Sequence, residues 1–152
     1  MDLFTRFEGR IGRGRFLLGM LALLVPALVM GILTAPLQFV GSGGAWTGVI
    51  LSLIFLYPAL ALIVKRLHDR GRPALPWAAI YVVPGLVLNL MQATEVGFTH
   101  IRFGDLMLVE PNGLGLIATG LAFIAAVVGF IDLCLLRGER DANRWGPAAL
   151  AR

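Results

Sequence analysis

Apolar and polar residues fall along this chain in long blocks, not in the short alternations of a globular domain. From Phe16 to Val64 there is no Asp, Glu, Lys, Arg or His. As one helix that run would be about 74 Å long, more than twice a hydrocarbon core of about 30 Å. It must fold back, and "GSGG" at Gly41–Gly44 is its one concentrated breaker. The pattern predicts a first span at 16–40 and a second at 46–66. The charge-free stretch from Pro73 to Thr94 is a third, over 73–94. A fourth begins at Pro111, stays uncharged to Ile131 and continues to Leu136. Backbone groups in lipid must bond internally, so each span is read as a helix. The expected fold is an all-α integral membrane protein, one four-helix membrane domain over 1–152. An outer loop occupies 95–110, and a short amphipathic cytoplasmic segment precedes the first helix.

Composition agrees. Hydrophobic residues make up 58% of the 152, and charged residues only 14%, against about 25% in soluble domains. Mean hydropathy is +0.83. A chain this short cannot hide so much apolar surface in one core, so lipid must solvate it. The single cysteine, Cys134, excludes an internal disulfide and any multi-cysteine metal site, and is read as a small packing residue.

The net charge of +4 matters less than its placement. Arg6, Arg10, Arg13 and Arg15 precede the first span. Lys65, Arg66, Arg70 and Arg72 follow the second. Arg137, Arg140, Arg144 and Arg152 follow the fourth, and Arg102 stands alone in the 95–110 loop. The positive-inside rule then puts both termini and the 65–72 loop in the cytoplasm. A cleavable signal peptide is disfavoured, because the apolar run after the arginines exceeds an h-region of 7–15 residues. Nucleic-acid binding is not needed to explain arginines that lie beside a membrane.

Pro26, Pro36, Pro58 and Pro84 lie within or near spans and can kink them. Ala27, Gly31 and Ala35 make one small helical face, and Ala118, Ala122 and Ala126 another, suited to close helix packing, within the chain by preference or against a second copy. No ionisable residue occupies the middle of a span, which argues against a proton relay or ion path. Asp132 is an intramembrane carboxylate near the cytoplasmic interface. It is expected to form a structural salt bridge with Arg66 or Lys65, a functional carboxylate being the alternative. In the outer loop, Phe98, Ile101 and Phe103 alternate as in an extended segment. His100 there has no second metal ligand near it.

The stretch "KRLHDRGRP", 65–73, reads first as a helix end. Gly71 suits the position after the last turn, Pro73 stops continuation, and cations complement the helix dipole and face anionic head groups. Asp69 fits less well, since a carboxylate there opposes the dipole. Lys65, four residues earlier, could offset it. His68 and Asp69 are adjacent, and neighbours on a helix do not face each other, so a catalytic dyad is disfavoured. "FEGRIGRGRF" puts Phe4, Phe7 and Ile11 on one helical face and Arg6, Arg10 and Arg13 on another, although its glycines weaken any helix. Those glycines could instead let the backbone approach a phosphate, a weak signal with no strand before it. "RGERDANRWGP" ends the fourth helix and turns through Asn143, Gly146 and Pro147, with Trp145 suited to the interface.

"GRIGRGRF" at 9–16, "KRLHDRGR" at 65–72 and "NRWGP" at 143–147, in that order, resemble the YhaH-like family of bacterial inner-membrane proteins, domain of unknown function eight hundred and five. The resemblance covers nearly the whole chain. It implies a small multi-pass inner-membrane protein with no established activity, and motif positions at Gly9, Arg10, Arg13, Arg66, Leu67, His68, Asp69, Gly71, Asn143, Gly146 and Pro147. After Arg72 the chain reads Pro-Ala-Leu-Pro-Trp, where a Ser-Gly-Trp-Trp-like continuation is typical.

Topology puts the three patterned segments on one face. They are expected to interlock there, with Asp69 paired to Arg10, Arg13 or Arg144 and Asn143 bonded to backbone leaving the helices. Arg10, Arg13, Arg66, His68, Asp69, Asn143 and Arg144 thus form a candidate cluster, either a structural lock or an anion site. The favoured function is a non-enzymatic scaffold or accessory whose basic face binds anionic lipid head groups or a partner. A small oligomeric transporter or channel is the alternative, and a lipid-phosphate enzyme using His68 and Asp69 a second one. No catalytic residue, metal site or cofactor signature is assigned. Partners expected are membrane lipids, with a homo-oligomer or membrane-protein partner left open.

Overall fold

A computed structural model describes residues 3–36, 43–103 and 106–149. Helices α1 (Arg13–Thr34), α2 (Gly43–Asp69), α3 (Ala74–Ala93) and α4 (Gly113–Phe130) are joined in order, with strands β1 (Phe98–Phe103) and β2 (Leu106–Pro111) between α3 and α4. A π-helical turn, Ile131–Leu135, continues α4. The four helices are each long and apolar enough to cross a membrane. Most of their large side chains stay exposed, among them Leu18 at 69% and Phe123 at 68%. Only lipid can solvate such a surface cheaply. The molecule is an all-helical, multi-pass membrane protein.

Several boundaries differ from the sequence reading. The first helix starts at Arg13 and ends at Thr34, not at 16 and 40. At 22 residues it is about 33 Å long, already enough to span. The expected end of the first span, 37–40, and the start of the GSGG turn lie outside the described residues. α2 continues three residues beyond the expected end at 66, because its last turn is enclosed by protein. α3 is preceded by Pro73, and Leu75 is non-helical (φ −96°, ψ 139°), so regular helix begins at Pro76. The N-terminal segment is not a helix. Gly9 has φ +88°, which breaks the predicted amphipathic turn. Its apolar residues find other seats: Ile11 is buried, Leu3 and Phe4 pack on the core, and Phe7 meets Tyr57 edge-on at 5.4 Å.

The segment between α3 and α4 is an antiparallel hairpin, in register from Phe98↔Pro111 to Phe103↔Leu106. Asn112 then caps α4, its Oδ1 accepting from Leu114 N–H at 3.1 Å and Gly115 N–H at 3.3 Å, which satisfies two orphan donors of the first turn.

Neighbouring helices pack in sequence order, and the π-helical turn reaches back to α1 and α2. The small faces do not all serve as expected. A Cβ on Gly31 would meet nothing within 4 Å, whereas one on Gly19 would lie 2.9 Å from Leu62 Cδ2, and one on Gly129 3.3 Å from Tyr81. Close packing therefore runs through Gly19 and Gly129. The core cluster, Ile11, Phe16, Leu62, Ile63, Leu67, Ala78 and Leu133, sits wholly at the end of the bundle that carries the sequence motifs.

Candidate functional site

Ala61 to Asp69 are all buried, including Lys65, Arg66, His68 and Asp69. Lys65 and Arg66 are therefore turned inward, not toward head groups as the helix-end reading expects, whereas Arg70 and Arg72 stay partly exposed. The end of α2 is instead enclosed by the N-terminal segment, α1, the π-helical turn and the C-terminal tail. Gly71, at φ +70°, makes the sharp exit. Its N–H donates to His68 O at 3.2 Å and Arg72 N–H to Leu67 O at 2.9 Å, the paired bonds of a Schellman motif.

Asp69 is the node of this end. Its Oδ1 accepts from Arg10 Nε at 3.3 Å and Nη2 at 3.2 Å, and its Oδ2 accepts from Arg66 Nη1. The expected i,i+4 partner Lys65 does not take this place: its Nζ donates to Leu3 O at 2.9 Å. Arg66 is three residues before Asp69, on the adjoining helix face. Of the three arginines proposed for Asp69, Arg10 reaches it, while Arg13 and Arg144 do not. Arg10 also ties down the tail, donating to Glu139 O at 2.7 Å, Asp141 O at 2.8 Å and Gly146 O at 3.3 Å. Arg66 does the same for the end of the fourth span, donating to Leu133 O at 2.8 Å and Leu136 O at 2.5 Å. Carbonyls left without helical partners at a C-terminus are thereby satisfied by guanidinium donors.

The tail closes over the node. Glu139 N–H donates to Asp69 O at 2.8 Å. Asn143 Nδ2 donates to His68 O at 3.0 Å and to Glu139 Oε2 at 2.6 Å. Its Oδ1 accepts Trp145 N–H at 3.0 Å, and Asn143 and Gly146 form an antiparallel bridge. His68 stacks under Trp145 with centroids 4.6 Å apart and planes 10° apart. Arg144 covers the same indole at 4.0 Å. His68 Nδ1 lies 3.3 Å from Gly9 O, so that nitrogen carries the proton, because a carbonyl can only accept.

Asp132 makes a second node, with partners other than those expected. Arg66 and Lys65 are engaged elsewhere. Asp132 Oδ1 accepts from Arg70 Nη2 at 3.0 Å, and Oδ2 from Arg72 Nη1 at 3.0 Å and Tyr81 O–H at 2.9 Å. The π-helical turn sets its position: Leu136 N–H bonds to Ile131 O, five residues back, at 3.1 Å. Arg72 also lies over Trp77 at 4.2 Å, so an aromatic contact follows the motif despite the unusual Pro-Ala-Leu-Pro-Trp sequence. Arg70 Nε is buried with no hydrogen-bond partner among the described residues.

A basin of about 540 Å³ opens beside this lock, lined by Arg6, Arg10, Arg15, Lys65, Trp145 and the single acid Glu8 together with apolar residues. Arg13 and Arg15 are exposed in the first turn of α1. A cation there opposes the helix dipole, and α1 has no acidic residue in that turn. Neither makes a hydrogen bond or ion pair among the described residues.

His68 lines a neighbouring cleft with Glu8 and Arg144, but Asp69 points away into its two arginines, so the two side chains do not converge. Among the described residues no group of three or more His, Cys, Asp or Glu could hold a metal ion. Nothing in KRLHDRGRP signalled that Lys65 and Arg66 would be buried. The segments that bury them lie some sixty to eighty positions away.

A family model described as "Protein of unknown function (DUF805)" matches residues 4–147, from the first aromatic packed on the core to the proline after the closing turn. No curated protein matches, and no solved structure matches.

Proposed function

The chain belongs to the DUF805 family, and from that premise we propose that it is a non-enzymatic accessory protein of a bacterial inner membrane. Its basic end faces the cytoplasm and holds the head group of an anionic lipid. The basin carries this reading: four cations against one acid, at the level where the apolar spans begin. Arg10 and Lys65 are buried with internal partners and supply field. Arg15 is exposed, and its planar fork suits a phosphate. Trp145 on the rim is the side chain expected at a membrane interface. The orientation follows from the cation distribution.

An enzyme built on His68 and Asp69 has no support in the geometry, since the carboxylate is consumed by Arg10 and Arg66.

Native mass spectrometry from nanodiscs of phosphatidylglycerol and phosphatidylcholine tests the reading. Phosphatidylglycerol is expected to be retained preferentially. Arg15→Ala should weaken that retention roughly fivefold, the effect of one interfacial cation worth about 1 kcal/mol. Equal retention of both lipids, or no effect of Arg15→Ala, defeats it.

A further inference from the structure

α1 packs mainly on α2 and on the π-helical turn. Between α1 and α4 this leaves a cleft of about 550 Å³, with Leu17, Met20 and Leu24 on one wall and Ala126, Phe130 and Cys134 on the other. It opens among exposed Leu17, Leu21, Leu24 and Phe130, on surface that lies within the candidate spans. Water has no partners at that depth. An empty cleft would forfeit dispersion contacts along both walls. An apolar chain drawn from the bilayer is the one occupant always at hand.

The cleft also has a charged end. Leu17, Met20 and Leu24 are four, seven and eleven residues after Arg13, so all four share one face of α1. Arg13 therefore stands one turn outside the apolar cleft, where a lipid phosphate would lie if its chain filled the groove. Arg15 is two positions on, on the opposite side of the helix, and belongs to the basin.

We propose that the α1–α4 cleft seats one acyl chain of an anionic glycerophospholipid whose phosphate is bound by Arg13. This site is distinct from the basin and stands on different residues.

The test uses the full chain in mixed phosphatidylglycerol and phosphatidylcholine nanodiscs, with lipids counted by native mass spectrometry. Ala126→Trp fills the cleft and is expected to remove one bound lipid per chain while the Arg15-dependent lipid remains, which also shows that the variant is folded. Ala126→Leu is the milder substitution should the tryptophan prevent folding, and is expected to weaken the same lipid. Arg13→Ala should leave the cleft occupied but reduce its preference for phosphatidylglycerol roughly fivefold. An unchanged lipid count with both Ala126 variants, or an unchanged preference with Arg13→Ala, overturns the proposal. So does a dimer that Ala126→Trp dissociates, because a second copy would then fill the cleft. If Arg15→Ala has no effect while the Ala126 variants do, the basin reading fails and the cleft stands.

Discussion

Asp69→Asn is the sharpest perturbation of the lock. The substitution keeps the shape and removes one charge. In the native protein one carboxylate serves two guanidinium groups, and the side chains of Arg10 and Arg66 are each 1% exposed against 4% for Asp69. After substitution two buried cations face each other with no anion between them. The amide also turns a donor N–H toward one guanidinium, so at least one hydrogen bond becomes a donor–donor contact. Removing one partner of a buried ion pair costs about 3–5 kcal/mol. The backbone carbonyls that Arg10 and Arg66 also bond keep both side chains in place and prevent relief by swinging into solvent. The expected loss is therefore in that range, and not the 0–1 kcal/mol of a surface pair. Reversible unfolding in mixed micelles, followed by far-UV circular dichroism, measures it. A double-mutant cycle with Arg66→Met should give a coupling of about 1–3 kcal/mol. A loss under about 1 kcal/mol for Asp69→Asn, or no coupling, would mean that Asp69 is not a buried node between Arg10 and Arg66.

Two further substitutions probe the packing around the nodes by the same unfolding measurement. A Cβ on Gly138 would overlap the Asp69 carboxylate and lie 2.9 Å from the Asp69 carbonyl oxygen, so Gly138→Ala should cost about 1–3 kcal/mol; an unchanged midpoint would show that the tail does not close over Asp69. Tyr81→Phe removes one of three donors to Asp132 and leaves Arg70 and Arg72 in place. It should cost only about 1 kcal/mol, and a loss several times larger would mean that the two arginines do not hold Asp132 as drawn.

The spans were legible because hydrocarbon imposes a simple rule: a helix that crosses must be apolar for its whole crossing length. The uncharged stretches from Phe16, Pro73 and Pro111 each contain most of a helix, with span ends that differ by up to six residues, and Gly71 with Pro73 marks the end of α2. The same rule is silent on side-chain partners. Lys65 was the natural local match for Asp69, and Arg66 or Lys65 for Asp132, yet Arg10 and Arg66 take the first carboxylate and Arg70 and Arg72 the second. Nor does hydropathy distinguish a cation facing head groups from one folded inward. Lys65 and Arg66 are buried because the N-terminal segment and the tail, which their own sequences read as an amphipathic helix and an interfacial turn, wrap the end of α2.

What the sequence alone determined was therefore the number, order and approximate extent of the helices, since these answer to lipid one segment at a time. Which charges meet, which are left for lipid and where a cleft opens were decided only by the tertiary structure. Those outcomes depend on segments as much as 136 positions apart, whose approach leaves no periodicity in the chain to read.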